Sequence, residues 1–575
     1  MLNWLVSRIR QGETDHPLGS DRAIGAYLAT LPAADPQYTL AALDEWIEEP
    51  APLFSELAPT LALHALARMD DFAQTAVDAC WTRYFQEGTQ DFLSNTVLKR
   101  LQTHYANLAA AYRYALSLAA VPKPGDDRLK IRNSLACIAT RAMAAMAEQK
   151  KIAHFSYAGA DADWWQQAHD LLKLARQHGI LQTKQTLHPG DSEPTSVWRE
   201  YLIALQFETA PLSTLSRQQL ALLDRLVRAI DASFICLDTF SPQTPFRFRI
   251  DQACGPSRCT PGQDESPAWR YFGPGQARTQ LARIKAAIGS RTPPEWIPAF
   301  CKAADSIGLI DQLVQHWSLN PPQRQKKRHQ QQCALRVVNG FSLIRRMVSA
   351  SEFVRSGRTL DYDTHLQQKE LLRITLLGVV TEPTPLPAKT PRENLERLET
   401  AGDRQMMERW QLIDQSEGGL GARYEFRRAW QEIGALVGYR FEEAVDWRVA
   451  IVRRLGRSHG KPNAGLTTFT DTPRSCQLDL CKSGENCPWQ QQTRETSGHG
   501  FFDAILVSRA EKLLLVPREV YSAERRGVLL LGSKRYPVQL MSIEASGPDY
   551  DLVRFRQVEA SEAATQPVSF APQAR

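Results

Sequence analysis

The chain has 575 residues, 43% of them hydrophobic and 23% charged, a balance that supports several buried cores and excludes both a single small module and wholesale disorder. Its formal net charge of +6, from 69 basic against 63 acidic residues, is too slight to mark a nucleic-acid protein by itself. No apolar run is long enough to span a bilayer, Arg8 and Arg10 interrupt the N-terminus before a signal-peptide core forms, and ten unevenly spaced cysteines fit reduced thiols, so the expected location is cytoplasmic.

Residues 1–232 read as an all-helical domain. Trp164, Trp165, Ala168, Leu171, Leu172 and Ala175 recur at the three-and-four spacing of one helical face. Asp163 stands as the expected N-cap and Gly179 as the expected C-terminal glycine. Leu101, Tyr105, Leu108, Tyr112, Ala115 and Leu116 repeat the pattern. Ser216 and Gln219 form a capping box ahead of Leu220, Leu223, Val227 and Ile230. The aromatic pairs Trp164/Trp165 and Tyr112/Tyr114 read as helix core and rim.

Residues 233–320 read as a mixed connecting unit. Short strands are expected around Phe234, Cys236 and Phe246 to Ile250, with helices at Gln276–Ile288 and near Pro294–Trp317. From Pro321 strands dominate: Cys333–Val338, Phe341–Val348, Arg409–Ile413, Trp447–Leu455 and Gly465–Phe469, a set that predicts a small antiparallel barrel over 321–470. Pro383, Pro385, Pro387 and Pro391 mark an insertion in it at about 350–405. Phe501–Val507, Leu513–Pro517, Gly527–Leu531 and Tyr536–Met541 predict a small β unit over 495–558. The Ala/Ser/Gln/Pro-rich tail, 559–575, reads as disordered. The fold class is multidomain α+β: an N-terminal all-α region, an antiparallel β-barrel and a small C-terminal β unit.

The densest basic stretch, Asn320–Ala350, holds Arg324, Lys326, Lys327, Arg328, Arg336, Arg345 and Arg346 without one acidic residue. Arg324 and Arg328, four apart just before the first barrel strand, are able to close two guanidinium forks on a phosphate or on a phosphate and a purine edge. Downstream, Asp414-Gln-Ser416-Glu-Gly418-Gly419 ends a strand and turns. There Asp414 is suited to accept from the donor edge of a guanine and Ser416 to brace the turn. Gly418 and Gly419 are expected to take positive φ, and Gly419 to let the backbone come close.

Together these two motifs resemble the two-part signature of the PilZ domain family, small β-barrels that receive the bacterial second messenger cyclic di-GMP. Gly434-Ala-Leu-Val-Gly438 and Trp447 to Leu455 are similar to the family's later strands. The helical N-terminus, from Leu18 to the Trp198-Arg-Glu-Tyr201 region, resembles that of large proteobacterial PilZ proteins. The resemblance implies a non-enzymatic effector with Arg324, Arg328, Asp414, Ser416 and Gly419 as ligand-binding residues, cyclic di-GMP as ligand and no cofactor. It also implies that binding rearranges a helical domain that contacts a protein partner. The alternative is a scaffold whose PilZ-like barrel has stopped binding nucleotide.

Other constellations fall short of chemistry. Cys476, Cys481 and Cys487, with His499 nearby, are spaced too widely for a strong zinc signal, so no metal is expected. Gly273-Pro-Gly275 lacks the Lys-Ser/Thr end of a phosphate loop, and no nucleophile elbow or paired metal-binding histidines occur, so no catalytic residues are assigned. The basic stretch is not interleaved with stacking aromatics, which argues against nucleic acid as a partner.

Overall fold

The computed structural model describes residues 16–86, 91–120, 134–158, 162–191, 193–260, 266–290, 294–321, 326–356, 390–399, 401–458, 460–480 and 500–558. The expected tail at 559–575 lies outside them. The chain divides into two units, Met1–Gln323 and Arg324–Arg575.

Helices occupy most of the described residues from Asp21 to Ala229. At the centre of the first unit, helix Leu135–Phe155 is buried on nearly every side. Its alanines at 136, 139, 142, 145 and 147 let neighbouring helices approach closely, as an all-round buried helix requires. Polar side chains on it are matched rather than exposed. Arg141 donates to Asp70 Oδ2 (2.9 Å) and Asp71 Oδ1 (2.8 Å), while Tyr112 donates to Asp70 Oδ2 (2.7 Å). This ties helices Pro59–Gln86 and Asp91–Ala120 to the central one. The Lys150 ammonium lies 3.6 Å from the Trp165 ring centroid and 3.0 Å from Glu208 Oε2. Burial draws its pKa down to about 8 against the pull of Glu208.

The capping box of Ser216 and Gln219 forms, with both reciprocal hydrogen bonds present. Gly179 has φ +67°, and the Ile180 N–H beyond it donates to the Ala175 carbonyl at 3.0 Å, the closure a C-terminal glycine permits. Asp163 lies inside the first turn of helix Ala162–Gln177 instead of capping it. Trp164, Trp165 and Tyr112 are all buried.

Residues 233–320 contribute an antiparallel sheet of β1 (Ile235–Leu237), β2 (Phe246–Phe248), β3 (Ser257–Arg258) and β4 (Arg270–Gly273), in the order β1-β4-β2-β3. Helices Ala277–Gly289 and Ala303–His316 follow. Phe248, Phe272, Leu281 and Leu309 belong to the same continuous buried core as the N-terminal helices.

The second unit holds two antiparallel barrels. In the first, β5 (His329–Gln330), β6 (Ala334–Asn339), β7 (Glu408–Ser416), β8 (Gly419–Arg423), β9 (Leu436–Phe441), β10 (Arg448–Ser458) and β11 (Lys461–Thr468) run in the order β5-β7-β6-β9-β10-β11-β8. Pairing of β7 with β8 closes the ring and leaves β5 as an added edge. In the second, β12 (Arg474–Leu480), β13 (Gly500–Ser508), β14 (Leu513–Pro517), β15 (Arg526–Leu531), β16 (Lys534–Ser546) and β17 (Tyr550–Gln557) close in the order β12-β13-β14-β17-β16-β15. The second barrel thus has six strands and begins at Arg474, ahead of the expected start of the C-terminal β unit. Cys476 faces its core, where burial pushes the thiol up to about 12. Cys481, Cys487 and His499 lie outside the described residues.

The strand expected at Phe341–Val348 is instead the start of helix Phe341–Arg355. Phe341, Ile344, Met347, Val348 and Ser351 are its buried residues, a helical period in a segment whose apolar run imitates a strand. Gly340, at φ +87°, makes the break after β6 that a side-chain-bearing residue disfavours. The first helical N–H, that of Phe341, donates to Asp549 Oδ2 at 2.5 Å, placing a carboxylate where the helix dipole favours one. The helix is sandwiched in one core between Trp447, Val449 and Ile451 of the first barrel segment and Ile505, Leu513 and Leu552 of the second.

Most of the expected insertion, 357–389 together with residue 400, lies outside the described residues. Its end does not stand apart from the barrel: Leu395, on helix Pro391–Leu398, is fully buried in the core shared with helix Phe341–Arg355. Replacing 357–389 by a short Gly/Ser linker is therefore expected to leave the barrel folded. A cut extended through Leu395 and Glu399 is expected to unfold it. Circular dichroism of the two deletions checks this, and loss of strand signal in the shorter one would contradict it.

No described helix is long and apolar enough to cross a membrane.

Candidate ligand site on the first barrel

Strand pairing brings the two sequence motifs together. β5 pairs with β7 so that His329 faces Gln415 and Gln330 faces Asp414, which carries the basic lead-in segment to the outer edge of the β7–β8 hairpin. Arg328, the residue before β5, then donates from Nη1 to Asp414 Oδ1 at 2.5 Å, although the two are 86 residues apart in sequence. Both side chains are partly exposed, at 28% and 25%. Two residues upstream, Lys326 Nζ stands 3.0 Å from Glu417 Oε2 at the hairpin tip. Two ion pairs thus span the same gap. Arg324 lies outside the described residues.

The hairpin itself is tight. Asp414 faces Gly421, Gln415 faces Leu420 and Ser416 faces Gly419, with an irregularity between Leu412 and Asp414. Such bulges re-aim the side chains that follow them. Ser416 Oγ donates to the Gly419 carbonyl at 3.3 Å, bracing the turn as its sequence position suggests.

The glycines act by proximity and not by unusual dihedrals. Neither Gly418 nor Gly419 takes the left-handed φ expected of it, because the two-residue turn closes without it. A Cβ at Gly419 would stand 2.8 Å from the Leu466 carbonyl oxygen of β11, so the close backbone approach expected there is real but is made to a strand.

Gly421 escaped the sequence reading. A Cβ there would come within 2.4 Å of Asp414 Oδ1 and 3.3 Å of Arg328 Nη1, so this glycine leaves the space in which the ion pair forms. Gly419-Leu-Gly421 alternates at the period of two that puts both glycines on one strand face, the signal by which it was detectable. Gly421→Ala is expected to push the Asp414 carboxylate aside and separate it from Arg328 while leaving the buried neighbours Leu420 and Ala422 in place. The chemical shift of the Arg328 side-chain N–H reports this; a resonance unchanged from wild type would contradict it.

The arrangement is chemically an exchangeable ion pair. The Arg328 guanidinium offers a planar fork of donors, of which only Nη1 is engaged among the described residues. Asp414 offers a carboxylate suited to a paired donor edge. A ligand bearing both an anionic oxygen and an N–H edge satisfies the two sides at once.

No curated protein and no solved structure matches the chain. The barrel carrying Arg328 and Asp414 lies beyond the residues that a family model does match. Residues 22–236, which cover the helices up to Arg217–Ala229 but not the later helices Ala277–Gly289 and Ala303–His316, match the family described as "Cyclic-di-GMP receptor FimW, N-terminal domain".

Proposed function

We propose that the chain is a cyclic di-GMP effector that acts by binding and not by catalysis, with Arg324, Arg328, Asp414, Ser416 and Gly419 forming the nucleotide site. The observation that carries this reading is the meeting of Arg328 with Asp414 across 86 residues of sequence, in a chain whose helical region matches a cyclic-di-GMP receptor family. Arg328 and Asp414 satisfy each other. The ligand exchanges that pair for two better-suited partners: a phosphate oxygen takes the guanidinium, and a guanine donor edge takes the carboxylate. Arg324 adds a second fork, and its planar guanidinium also stacks on a base face.

Among the described residues the lead-in segment is held to the barrel by the short β5 pairing, the Gln331 N–H donating to the Ile413 carbonyl, one exposed ion pair and one partly exposed one, so its rearrangement costs little. Rearrangement of that segment is the signal, which the helical region passes to a protein partner in the cytoplasm. Titration of fluorescently labelled cyclic di-GMP into the full chain tests the reading, with unlabelled cyclic di-GMP and GMP as competitors. Displacement by the dinucleotide far below the GMP concentration is expected. Equal displacement by both would reduce the site to a general anion patch.

A further inference from the structure

The second barrel carries a cavity of its own, about 730 Å³ in volume, that shares no residue with the Arg328–Asp414 site. Its apolar lining comes from Leu506, Leu529, Leu531, Tyr536 and Phe555. Of these, Leu506, Leu529 and Phe555 are buried side chains of the barrel core. Around this lining stand five cations: Arg355 from the end of helix Phe341–Arg355, Arg474 from β12, Arg509 and Lys512 from the β13–β14 turn, and Lys534 from the start of β16. Among the described residues, Arg509, Lys512 and Lys534 form no ion pair.

One carboxylate, that of Glu352, joins them in the lining. It does little to neutralise the rim. Its Oε1 lies 4.0 Å from both Arg355 Nη2 and Arg474 Nε, Oε2 accepts from the Ser475 N–H, and burial raises its pKa.

Arg355 also meets Asp446 Oδ1 at 3.4 Å, so the unbalanced charge falls on the other four cations, and like charges gathered at one cleft repel one another. We propose that this cavity is a second ligand site, for an amphiphilic organic anion whose apolar body lies on the leucine and aromatic lining and whose phosphate, sulfonate or carboxylate group meets the cationic rim. The pairing of an apolar lining with convergent charged groups is what small-molecule sites use for affinity and orientation respectively. A bare inorganic anion leaves the apolar lining wet, and a neutral hydrophobe leaves the rim unpaired, so neither fits as well.

The test uses two dyes with the full chain: 1-anilinonaphthalene-8-sulfonate, which has both features, and N-phenyl-1-naphthylamine, which lacks the sulfonate. Saturable fluorescence enhancement with the sulfonated dye, weakened by salt, is expected of the wild type. The double variant Arg509→Glu, Lys534→Glu changes exposed side chains and is expected to fold. It should bind the sulfonated dye at least about tenfold more weakly, the loss equivalent to one charged hydrogen-bonding partner, and the neutral dye as the wild type does. Arg328→Ala should leave both unchanged. Unaltered binding of the sulfonated dye by the double variant, equal loss of both dyes, or an effect of Arg328→Ala as large as that of the double variant would each overturn the proposal.

Discussion

Glu399→Ala is expected to loosen the first barrel by about 3–5 kcal/mol, the usual cost of removing one partner from a buried ion pair. Glu399 and Arg440 both have fully buried side chains and meet through Oε1 and Nη2 at 3.2 Å. Arg440, on β9, also donates to the Ala444 carbonyl at 2.8 Å and lies 5.5 Å from the Trp447 ring centroid. Burial lowers its pKa even with the carboxylate beside it, so without Glu399 the guanidinium would be a buried charge with only a carbonyl and a ring for company. Replacing both residues by leucine removes the stranded charge and is expected to cost much less than the single change. Hydrogen exchange of the β9 amides in the full chain measures the difference strand by strand, avoiding the assumption that two units unfold together. Wild-type protection in Glu399→Ala would contradict the assignment.

The second large effect concerns the ligand. If the proposed site holds, Arg328→Ala is expected to remove a charged hydrogen-bonding partner worth about 1.5–3 kcal/mol, at least a tenfold loss of cyclic di-GMP affinity, and should barely alter stability because the pair it breaks is partly exposed. Asp414→Ala is expected to weaken binding less. It deletes the acceptor for the guanine edge but also frees Arg328 from a competitor, so part of the loss is offset. Its effect should depend less on salt as well, since screening acts mainly on the phosphate contact. Titration of both variants at low and high salt reads this directly. Equal losses with equal salt dependence would show that the two side chains do not divide the ligand in this way.

Much of this architecture was legible because local chemistry and tertiary packing agree. The 3.6-residue apolar period, the Ser216–Gln219 box and Gly179 each specify helix geometry within a few residues, and the structure uses all three. Where the two disagree, the sequence misleads. Phe341–Val348 has a strand's apolar density, yet its buried residues follow a helical period because barrel segments flank it on both sides. In β12 the alternation Cys476, Leu478, Leu480 against Gln477 and Asp479 is present, but it is short and runs into a cysteine-bearing polar segment, so it reads as loop. At the site, residue types were readable from the chain itself, whereas the proximity of the two motifs was expected only through their resemblance to a two-part family signature. That Arg328 reaches Asp414 depends on β5 pairing with β7, a register no local pattern encodes, and the space Gly421 leaves for them follows from the same pairing.

Reception of cyclic di-GMP at the Arg328–Asp414 hairpin, as proposed, is open to direct measurement. Isothermal titration calorimetry of the full wild-type chain with cyclic di-GMP, run beside Arg328→Ala, tests it most directly. A saturable heat is expected for the wild type, weakening as salt is raised and shifting to at least tenfold weaker affinity in the variant. No heat of binding in the wild type would contradict the receptor reading, and identical isotherms for the two proteins would place the ligand elsewhere on the chain.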